Sequence, residues 1–129
     1  MGTFSLQSGL GSLGEKLGCQ YLKRKGYVIL VTNYCNTSGR RIGEIDIVAK
    51  KDSAIVFVEV KTRLKSDDDT MFPEANITPM KLRKLERIAT HYLRENYLGS
   101  ASYHFDALAI VYDHIEKKAS IRHLEHIFF

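Results

Sequence analysis

Two apolar runs rich in β-branched residues constrain the fold of this chain more than any other feature. They span about residues 42–49 and 54–61, and a short polar break at 50–53 separates them. The pattern predicts two antiparallel strands joined by a tight turn. The stretch from Ile55 to Val60 is almost continuously apolar, which favours a central strand buried on both faces. We therefore expect the domain to be built around a β-hairpin.

Charged residues interrupt these runs where a buried strand would exclude them. Asp46 lies inside the first run, and Glu59 and Lys61 end the second. Because side chains alternate across a strand, Glu59 and Lys61 should share one face. A turn centred between residues 51 and 52 would place Asp46 opposite roughly residue 57, one same-face step from Glu59. The hairpin would then bring both carboxylates within reach of one cation.

This combination of groups suggests a particular chemistry. Two carboxylates, backbone carbonyls and water are the ligands that Mg²⁺ prefers. A charged lysine beside them can hold an attacking water or stabilise negative charge in a transition state. Asp46 and Glu59 are thus candidate ligands of Mg²⁺ or Mn²⁺, and Lys61 is a candidate catalytic residue for phosphodiester hydrolysis. Taken singly, each charge is also typical of an ion pair at a strand end.

The remaining sequence predicts an α/β fold in the order α-β-β-β-α-β-β. Residues 1–10 are expected to form a flexible tail, and residues 11–129 a single domain. Thr78 and Pro79 mark the start of the second helix as N-cap and first helical residue. The expected elements are a helix at 11–25, strands at 27–32, 42–49 and 54–61, a long loop at 62–77, the second helix from 78, and strands at 101–112 and 119–129.

Composition excludes several classes of protein. The 129 residues carry a net charge of +4, which permits a polyanionic partner without requiring one. No apolar run approaches the roughly 18 residues of a membrane span, and the N-terminus lacks the pattern of a secretory signal. The two cysteines form no C-x-x-C pair, which favours a reducing, cytoplasmic location.

Other cofactor sites are not indicated. The glycines at 11 and 14 do not form a Walker A loop, so no nucleotide cofactor is expected. His123 and His126 lie three residues apart, a spacing that is not typical of zinc in a strand. Asp106 lies inside another apolar run, as Asp46 does.

A basic surface is expected on the second helix and the loop after the first strand. Between Met80 and Arg94 the sequence has five basic residues and one acidic residue, Glu86. This sign bias is compatible with a solvated helix face or with a surface that follows a phosphate backbone. The candidate nucleic-acid-binding residues are Arg40, Arg41, Lys81, Lys84 and Arg87.

The chain resembles a known family at these motifs. Asp46, followed after twelve residues by Glu59-Val60-Lys61, is similar to the PD-(D/E)xK nuclease motif. The fuller pattern resembles the UPF0102 (YraN) family of small bacterial proteins over about residues 11–129. Its matching segments are Gly14-Glu15, Gly26-Tyr27, Asn33, Gly43-Glu44-Ile45-Asp46, Phe57-Val58-Glu59-Val60-Lys61 and Phe105-Asp106.

The resemblance implies a restriction-endonuclease-like fold, a central mixed sheet flanked by helices, and a DNA substrate similar to that of Holliday-junction resolvases. It implies metal ligation by Asp46 and Glu59, catalysis by Lys61, and an assisting carboxylate at Glu15. Glu44 would join the site or pair with an arginine. The sequence departs from the family at His104, where arginine is common, and at its apolar C-terminus.

Two functions of different classes follow as hypotheses. The first is a Mg²⁺- or Mn²⁺-dependent endonuclease acting on DNA, including branched DNA. A homodimer would allow a domain with one site to cut both strands symmetrically. The alternative is a non-catalytic nucleic-acid-binding or partner-scaffold protein that retains the nuclease fold. Retention of Lys61 favours the first hypothesis.

Overall fold

The structure, a computed structural model, describes residues 6–66 and 78–127. Its elements follow the predicted order α-β-β-β-α-β-β, which confirms the α/β fold class. They are α1 (Leu6–Arg24), β1 (Val28–Cys35), β2 (Glu44–Lys51), β3 (Ala54–Leu64), α2 (Pro79–Glu95), β4 (Ser102–Asp113) and β5 (Lys118–Leu124).

The five strands form one mixed sheet in the order β1-β2-β3-β4-β5. Strands β3 and β4 are parallel, and the other neighbouring pairs are antiparallel. A parallel pair requires a long crossover, and the connection between these two strands contains α2. The predicted central strand, β3, lies between β2 and β4, and Ile55 to Val58 are fully buried there.

The hairpin register differs from the prediction. Lys51 pairs with Ala54, and Ile47 pairs with Val58. The turn therefore centres on Asp52 and Ser53, one position later than expected, with Asp52 at a φ of 55°. Aspartate tolerates this left-handed conformation because its side chain can bond nearby backbone. Continuing the same register would place Asp46 opposite Glu59 rather than residue 57.

Each helix covers one face of the sheet. Leu22 of α1 packs with Ile47, Val58 and Leu108 on one face. On the other face, apolar residues of α2 pack with Phe57 and its neighbours. The α2 residues of this second cluster are Ile88, Ala89, Tyr92 and Leu93.

The predicted start of α2 is confirmed. The Thr78 side chain accepts a hydrogen bond from the backbone N–H of Lys81, and Pro79 occupies the first turn. This N-cap satisfies a donor that the helix itself leaves without a partner.

Several predicted boundaries are wrong. α1 begins at Leu6, so residues 6–10 are helical and not part of a tail, and residues 1–5 lie outside the described chain. Strand β3 continues to Leu64, three residues into the predicted loop, because it remains paired with β4. Strand β5 ends at Leu124. The rest of the predicted loop, from residue 67 to 77, and residues 128–129 also lie outside the described residues.

Neither α1 nor α2 is both long and apolar enough to cross a membrane, and these are the helices within residues 6–66 and 78–127.

Gly14 sets the distance between α1 and β3. A Cβ atom at this position would overlap the side chain of Thr62. Gly18, one turn later, faces Leu108 and Ile47, where a Cβ would lie 3.2 and 3.3 Å from their methyl groups. Helix α1 therefore approaches the sheet closely. This close approach holds Glu15, the residue after Gly14, near the end of β3.

Replacing Gly14 by alanine is expected to destabilise the protein by about 1–3 kcal/mol, because the added methyl group overpacks the contact with Thr62. Urea denaturation measures the change. Gly11→Ala is the matched control on the same helix, since a Cβ there meets nothing within 4 Å. That control should stabilise by about 0.5–1 kcal/mol through helix propensity. Equal effects of the two substitutions would contradict the close approach.

Candidate active site

A small cavity lies where the first half of α1 meets the C-terminal half of β3. It has a volume of about 290 Å³, and its polar lining includes the side chains of Glu15, Asp46 and Lys61. The remaining lining residues are Leu10, Gly11, Val60 and Thr62. The fold thus brings together three residues that are separated by up to 46 positions in the sequence.

Asp46 is held where the pairing of β2 with β3 ends. The last paired residues are Ile47 and Val58. Beyond them, the Asp46 Oδ2 atom accepts a hydrogen bond from the backbone N–H of Val60 at 2.8 Å. The side chain thus takes the place of a ladder hydrogen bond. This contact fixes one carboxylate oxygen of Asp46 at the edge of the cavity.

The environment of Asp46 raises its pKa to about 6, from an ordinary value of 3.8. Burial is the main cause, and the hydrogen bond from Val60 opposes it. The nearby carboxylates of Glu59, Glu15 and Glu44 raise the pKa further. Asp46 therefore lies in a concentration of negative charge, which a bound cation would relieve.

Asp46→Asn is expected to stabilise the protein at neutral pH in the absence of divalent ions. The raised pKa means that the folded state binds more protons than the unfolded state between about pH 4 and 6, so wild-type stability falls as pH rises through this window. The neutral amide avoids that loss and can still accept from Val60. We expect a gain of about 1–2 kcal/mol at pH 7, after allowance for partial solvent screening.

Urea denaturation in EDTA at pH 4 and pH 7 measures this effect. The stability difference between Asp46→Asn and wild type should widen from the lower pH to the higher. A difference that is constant across the two pH values would show that Asp46 does not titrate in the way its surroundings indicate.

Glu59 and Lys61 lie on one face of β3, as their spacing predicts. The Lys61 Nζ atom is 3.5 Å from Glu59 Oε1, and the two side chains are 38% and 24% exposed. Lys61 also lines the cavity that contains Asp46. Lys61 therefore contacts Glu59, lines the cavity and is accessible to solvent.

The donor set around Asp46 fits a hard divalent cation. All its side-chain ligand atoms are carboxylate oxygens, which Mg²⁺ and Mn²⁺ accept together with several waters. Asp46 and Glu15 line the cavity, whereas Glu59 is not among its lining residues and would have to reach the ion from beside Lys61. Among the described residues, one group of three His, Cys, Asp or Glu side chains has its potential ligand atoms within 4.8 Å of one another. That group is Asp106, His123 and Glu125, and not the carboxylates around Asp46.

Glu44 is placed at the edge of this site. It is exposed and accepts a hydrogen bond from the Arg41 guanidinium at 2.6 Å. Glu44 nevertheless contributes to the raised pKa of Asp46. It thus joins the carboxylate cluster to the arginines of the neighbouring loop, so both suggested roles of Glu44 are compatible with its position.

Basic residues line a larger groove between α2 and the loop before β2. The cavity has a volume of about 710 Å³. Four of the five predicted nucleic-acid-binding residues line it, and Lys81 does not belong to its lining. We call this surface the basic groove; its cationic residues are Arg40, Arg41, Arg83, Lys84, Arg87 and Arg94.

Two of these residues, Arg83 and Arg94, are among the five basic residues counted on the second helix but not among the candidate nucleic-acid-binding residues. The available signal was their spacing, since Arg83, Arg87 and Arg94 repeat at four and seven residues and so share one helical face. His91, which hydrogen-bonds the Tyr34 hydroxyl at 2.7 Å, also lines the groove.

Comparisons with known proteins agree with the pattern of motifs. The chain is 40% identical to a UPF0102 protein of Alkaliphilus oremlandii over 119 residues, covering 92% of this chain and 97% of that one. It is 37% identical to a UPF0102 protein of Alkaliphilus metalliredigens over 123 residues, covering 95% and 100%. A UPF0102 protein of Syntrophomonas wolfei is 39% identical over 119 residues, covering 92% and 96%.

The sequence pattern described as "Uncharacterised protein family UPF0102" matches residues 14–110, a range that contains Glu15, Asp46, Glu59 and Lys61. With a match of this extent and relatives of this similarity, the chain belongs to the UPF0102 family.

Proposed function

We propose that the protein is a metal-dependent endonuclease of the PD-(D/E)xK type that hydrolyses phosphodiester bonds in DNA. The observation that carries the proposal is the cavity shared by Glu15, Asp46 and Lys61. Within it, the pKa of Asp46 is raised to about 6 by burial and by neighbouring carboxylates. A carboxylate cluster beside a lysine on a rigid sheet is a costly arrangement with an evident catalytic use.

The residues divide into distinct roles. Asp46 and Glu59 would hold Mg²⁺ or Mn²⁺, and the bound ion would polarise the scissile phosphate and lower the pKa of a water molecule. Lys61 has its ammonium group beside Glu59 and faces the cavity, so it can orient the attacking water and stabilise charge that develops on the phosphate. Glu15 adds negative charge to the opposite wall and can accept a proton from a water molecule.

The basic groove supports a polyanionic substrate. Its six cationic side chains face one acidic residue, Glu86. Arg41 connects the groove to the carboxylate site through its contact with Glu44. We propose that the phosphate backbone of DNA follows this groove and reaches the cavity beyond Glu44. A junction or another branched structure would extend over both surfaces.

Replacing Arg83 and Arg87 together by alanine is expected to weaken DNA binding and to reduce its dependence on salt. Each lost phosphate contact lowers the slope of log affinity against log salt by about 0.9, so the double variant should lose nearly 2. Fluorescence anisotropy at several salt concentrations, in Ca²⁺ without turnover, gives this slope.

The double variant Lys23→Ala/Arg24→Ala is the matched control, because it removes the same charge from the exposed end of α1. Helix α1 packs on the face of the sheet opposite to α2. The control should keep the wild-type slope. An equal loss in both variants would indicate attraction by net charge instead of binding in the groove.

Cleavage of a panel of DNA substrates by the purified protein tests the proposed activity. Linear duplex, single-stranded, flapped and four-way-junction DNA, with matched RNA, are incubated in EDTA, Ca²⁺, Mg²⁺ and Mn²⁺. We expect cleavage of at least one DNA substrate in Mg²⁺ or Mn²⁺ and none in EDTA. Salt-dependent binding without cleavage under every condition would instead support the alternative, a nucleic-acid-binding or scaffold protein.

A further inference from the structure

A second group of titratable residues lies away from the carboxylate cavity, between β4 and the end of β5. Asp106 is fully buried. Its Oδ1 atom accepts from the backbone N–H of His126 at 3.1 Å and lies 2.7 Å from His104 Nδ1. Its Oδ2 atom lies 2.7 Å from His123 Nε2. The first two contacts fix the carboxylate, and the second oxygen is directed at His123.

Glu125 completes a set of three potential ligands. One carboxylate oxygen each of Asp106 and Glu125 and one nitrogen of His123 lie within 4.8 Å of one another. His123 and Glu125 are two residues apart at the end of β5, a spacing that places alternate side chains on one face. Asp106 comes from the neighbouring strand, β4. The three groups therefore converge from two paired strands.

The His123 ring is oriented from its other side. The Tyr21 hydroxyl of α1 lies 3.1 Å from His123 Nδ1, and the two rings meet edge to face with centroids 5.5 Å apart. A separation of 2.7 Å between Asp106 Oδ2 and His123 Nε2 is that of a hydrogen bond, so a proton lies between the two atoms. A metal ion bound here would replace that proton, the two atoms would move apart, and Nδ1–H would donate to the Tyr21 oxygen. Histidine ligands of metals characteristically have this kind of hydrogen bond on the second nitrogen.

Solvent reaches this group through a neighbouring cavity. Its volume is about 350 Å³, and His104 and Glu125 line it together with Tyr27. The turn between β2 and β3 forms the far wall. An ion can thus enter from the Glu125 side, and the cavity has room for a water molecule as a further ligand.

We propose that Asp106, His123 and Glu125 form a binding site for Zn²⁺ or a similar borderline transition-metal ion. One imidazole and two carboxylates with one open position suit a four-coordinate zinc ion, whereas Mg²⁺ prefers oxygen ligands alone. The ion would join β4 to β5 and, through Tyr21, would fix the end of α1 on the sheet. This site is separate from the proposed nuclease centre, and the inference does not depend on that function.

The structure also explains why the spacing of His123 and His126 did not reveal this site. The His126 ring stacks on His104 with centroids 3.9 Å apart, and its backbone N–H bonds Asp106. In the sequence, Asp106 stands out as a charge in an apolar run and as part of the Phe105-Asp106 segment that resembles the family. Its partners lie 17 and 19 residues later in the sequence, and only the pairing of β4 with β5 brings them together.

Titration of metal-free protein with Zn²⁺ tests the proposal, with calorimetry and thermal unfolding as two readouts. Wild type should bind one equivalent and unfold at a higher temperature, whereas Mg²⁺ should not compete. Glu125→Gln, at an exposed position, and His123→Ala should each weaken Zn²⁺ binding about tenfold or more. His114→Ala, which removes an exposed histidine from the turn between β4 and β5, is the matched control and should bind as wild type does.

Circular dichroism establishes that each variant is folded before titration. The proposal is overturned if wild type binds no Zn²⁺, or if Glu125→Gln and His123→Ala bind it with wild-type affinity. Should His123→Ala not fold, Glu125→Gln alone decides between these results. Asp46→Asn is expected to retain the Zn²⁺ affinity of wild type, and a loss there would place the ion in the carboxylate cavity instead.

Discussion

Lys61→Ala is expected to reduce the rate of metal-dependent DNA cleavage by a factor of about 10² to 10⁴, the range found when a positioned catalytic group is removed. The ammonium group lies 3.5 Å from Glu59 and faces the Asp46 cavity. Its loss removes the cation that would orient water and stabilise the transition state. Single-turnover cleavage at saturating protein measures the chemical step apart from DNA affinity. Lys61→Arg should restore little activity, because a planar guanidinium does not replace a compact ammonium group.

Lys50→Ala removes the same charge from an exposed position near the turn of the same hairpin. Its cleavage rate should stay within a factor of about two of wild type, since exposed charges away from a site act weakly. Equal rates for Lys61→Ala and wild type would remove Lys61 from the proposed machinery, even if the protein proved to be a nuclease.

Asp106→Leu is expected to lower the free energy of unfolding by about 3–5 kcal/mol, measured in EDTA so that bound metal does not contribute. Leucine is branched at Cγ as aspartate is, but it is larger and accepts no hydrogen bond. The substitution leaves the His126 backbone N–H without its acceptor and removes the group that both His104 and His123 contact. Such buried polar groups are costly when their partner is lost.

Asp113→Asn, at the far end of the same strand, is the control for this experiment. Asp113 caps the turn through hydrogen bonds from Ile115 and Glu116, which an asparagine oxygen can accept. Its effect should stay within about 0.5 kcal/mol, as for most surface substitutions. A similarly small effect of Asp106→Leu would show that the histidines do not depend on the buried carboxylate.

Local patterns predicted the scaffold of this protein well. The two β-branched runs indicated the hairpin, and the apolar stretch from Ile55 indicated the central strand. Thr78 and Pro79 marked the start of α2 because capping depends on neighbouring residues alone. Helix α1 begins five residues before its predicted start at residue 11. Gly14 and Gly18 disfavour an isolated helix, and the close packing of α1 on the sheet at these glycines offsets that cost in the folded protein.

Features that depend on pairing between distant segments were harder to predict. The turn at Asp52 and Ser53 shifted the hairpin register and moved Asp46 towards Glu59. The basic groove required knowledge of which face of α2 meets the loop containing Arg40 and Arg41. The Asp106 group required the register of β4 against β5. In each case the residue types were visible in the sequence, but their distances were fixed by tertiary contacts.

Asp46 and Asp106 are both largely buried, but their surroundings shift the two pKa values in opposite directions. Burial raises the pKa of both side chains, and hydrogen bonds oppose it at both. The pKa of Asp106 is lowered overall, because its contacts with His123, with the backbone N–H of His126 and with His104 outweigh the effect of burial. At Asp46, other carboxylates add to the effect of burial, and the pKa is raised. The surroundings of Asp106 therefore favour its charged form, whereas those of Asp46 disfavour it until a cation binds.

The rate of DNA cleavage in Mn²⁺ by Asp46→Asn, compared with wild type, tests the metal-dependent nuclease site most directly. The DNA is the best-cleaved substrate of the panel, and Ca²⁺ binding assays establish that both proteins hold it equally. The site described above predicts that wild type cleaves in Mn²⁺ and not in EDTA, and that Asp46→Asn is slower by a factor of about 10² or more. Equal rates for the two proteins, or no cleavage by wild type, would contradict it.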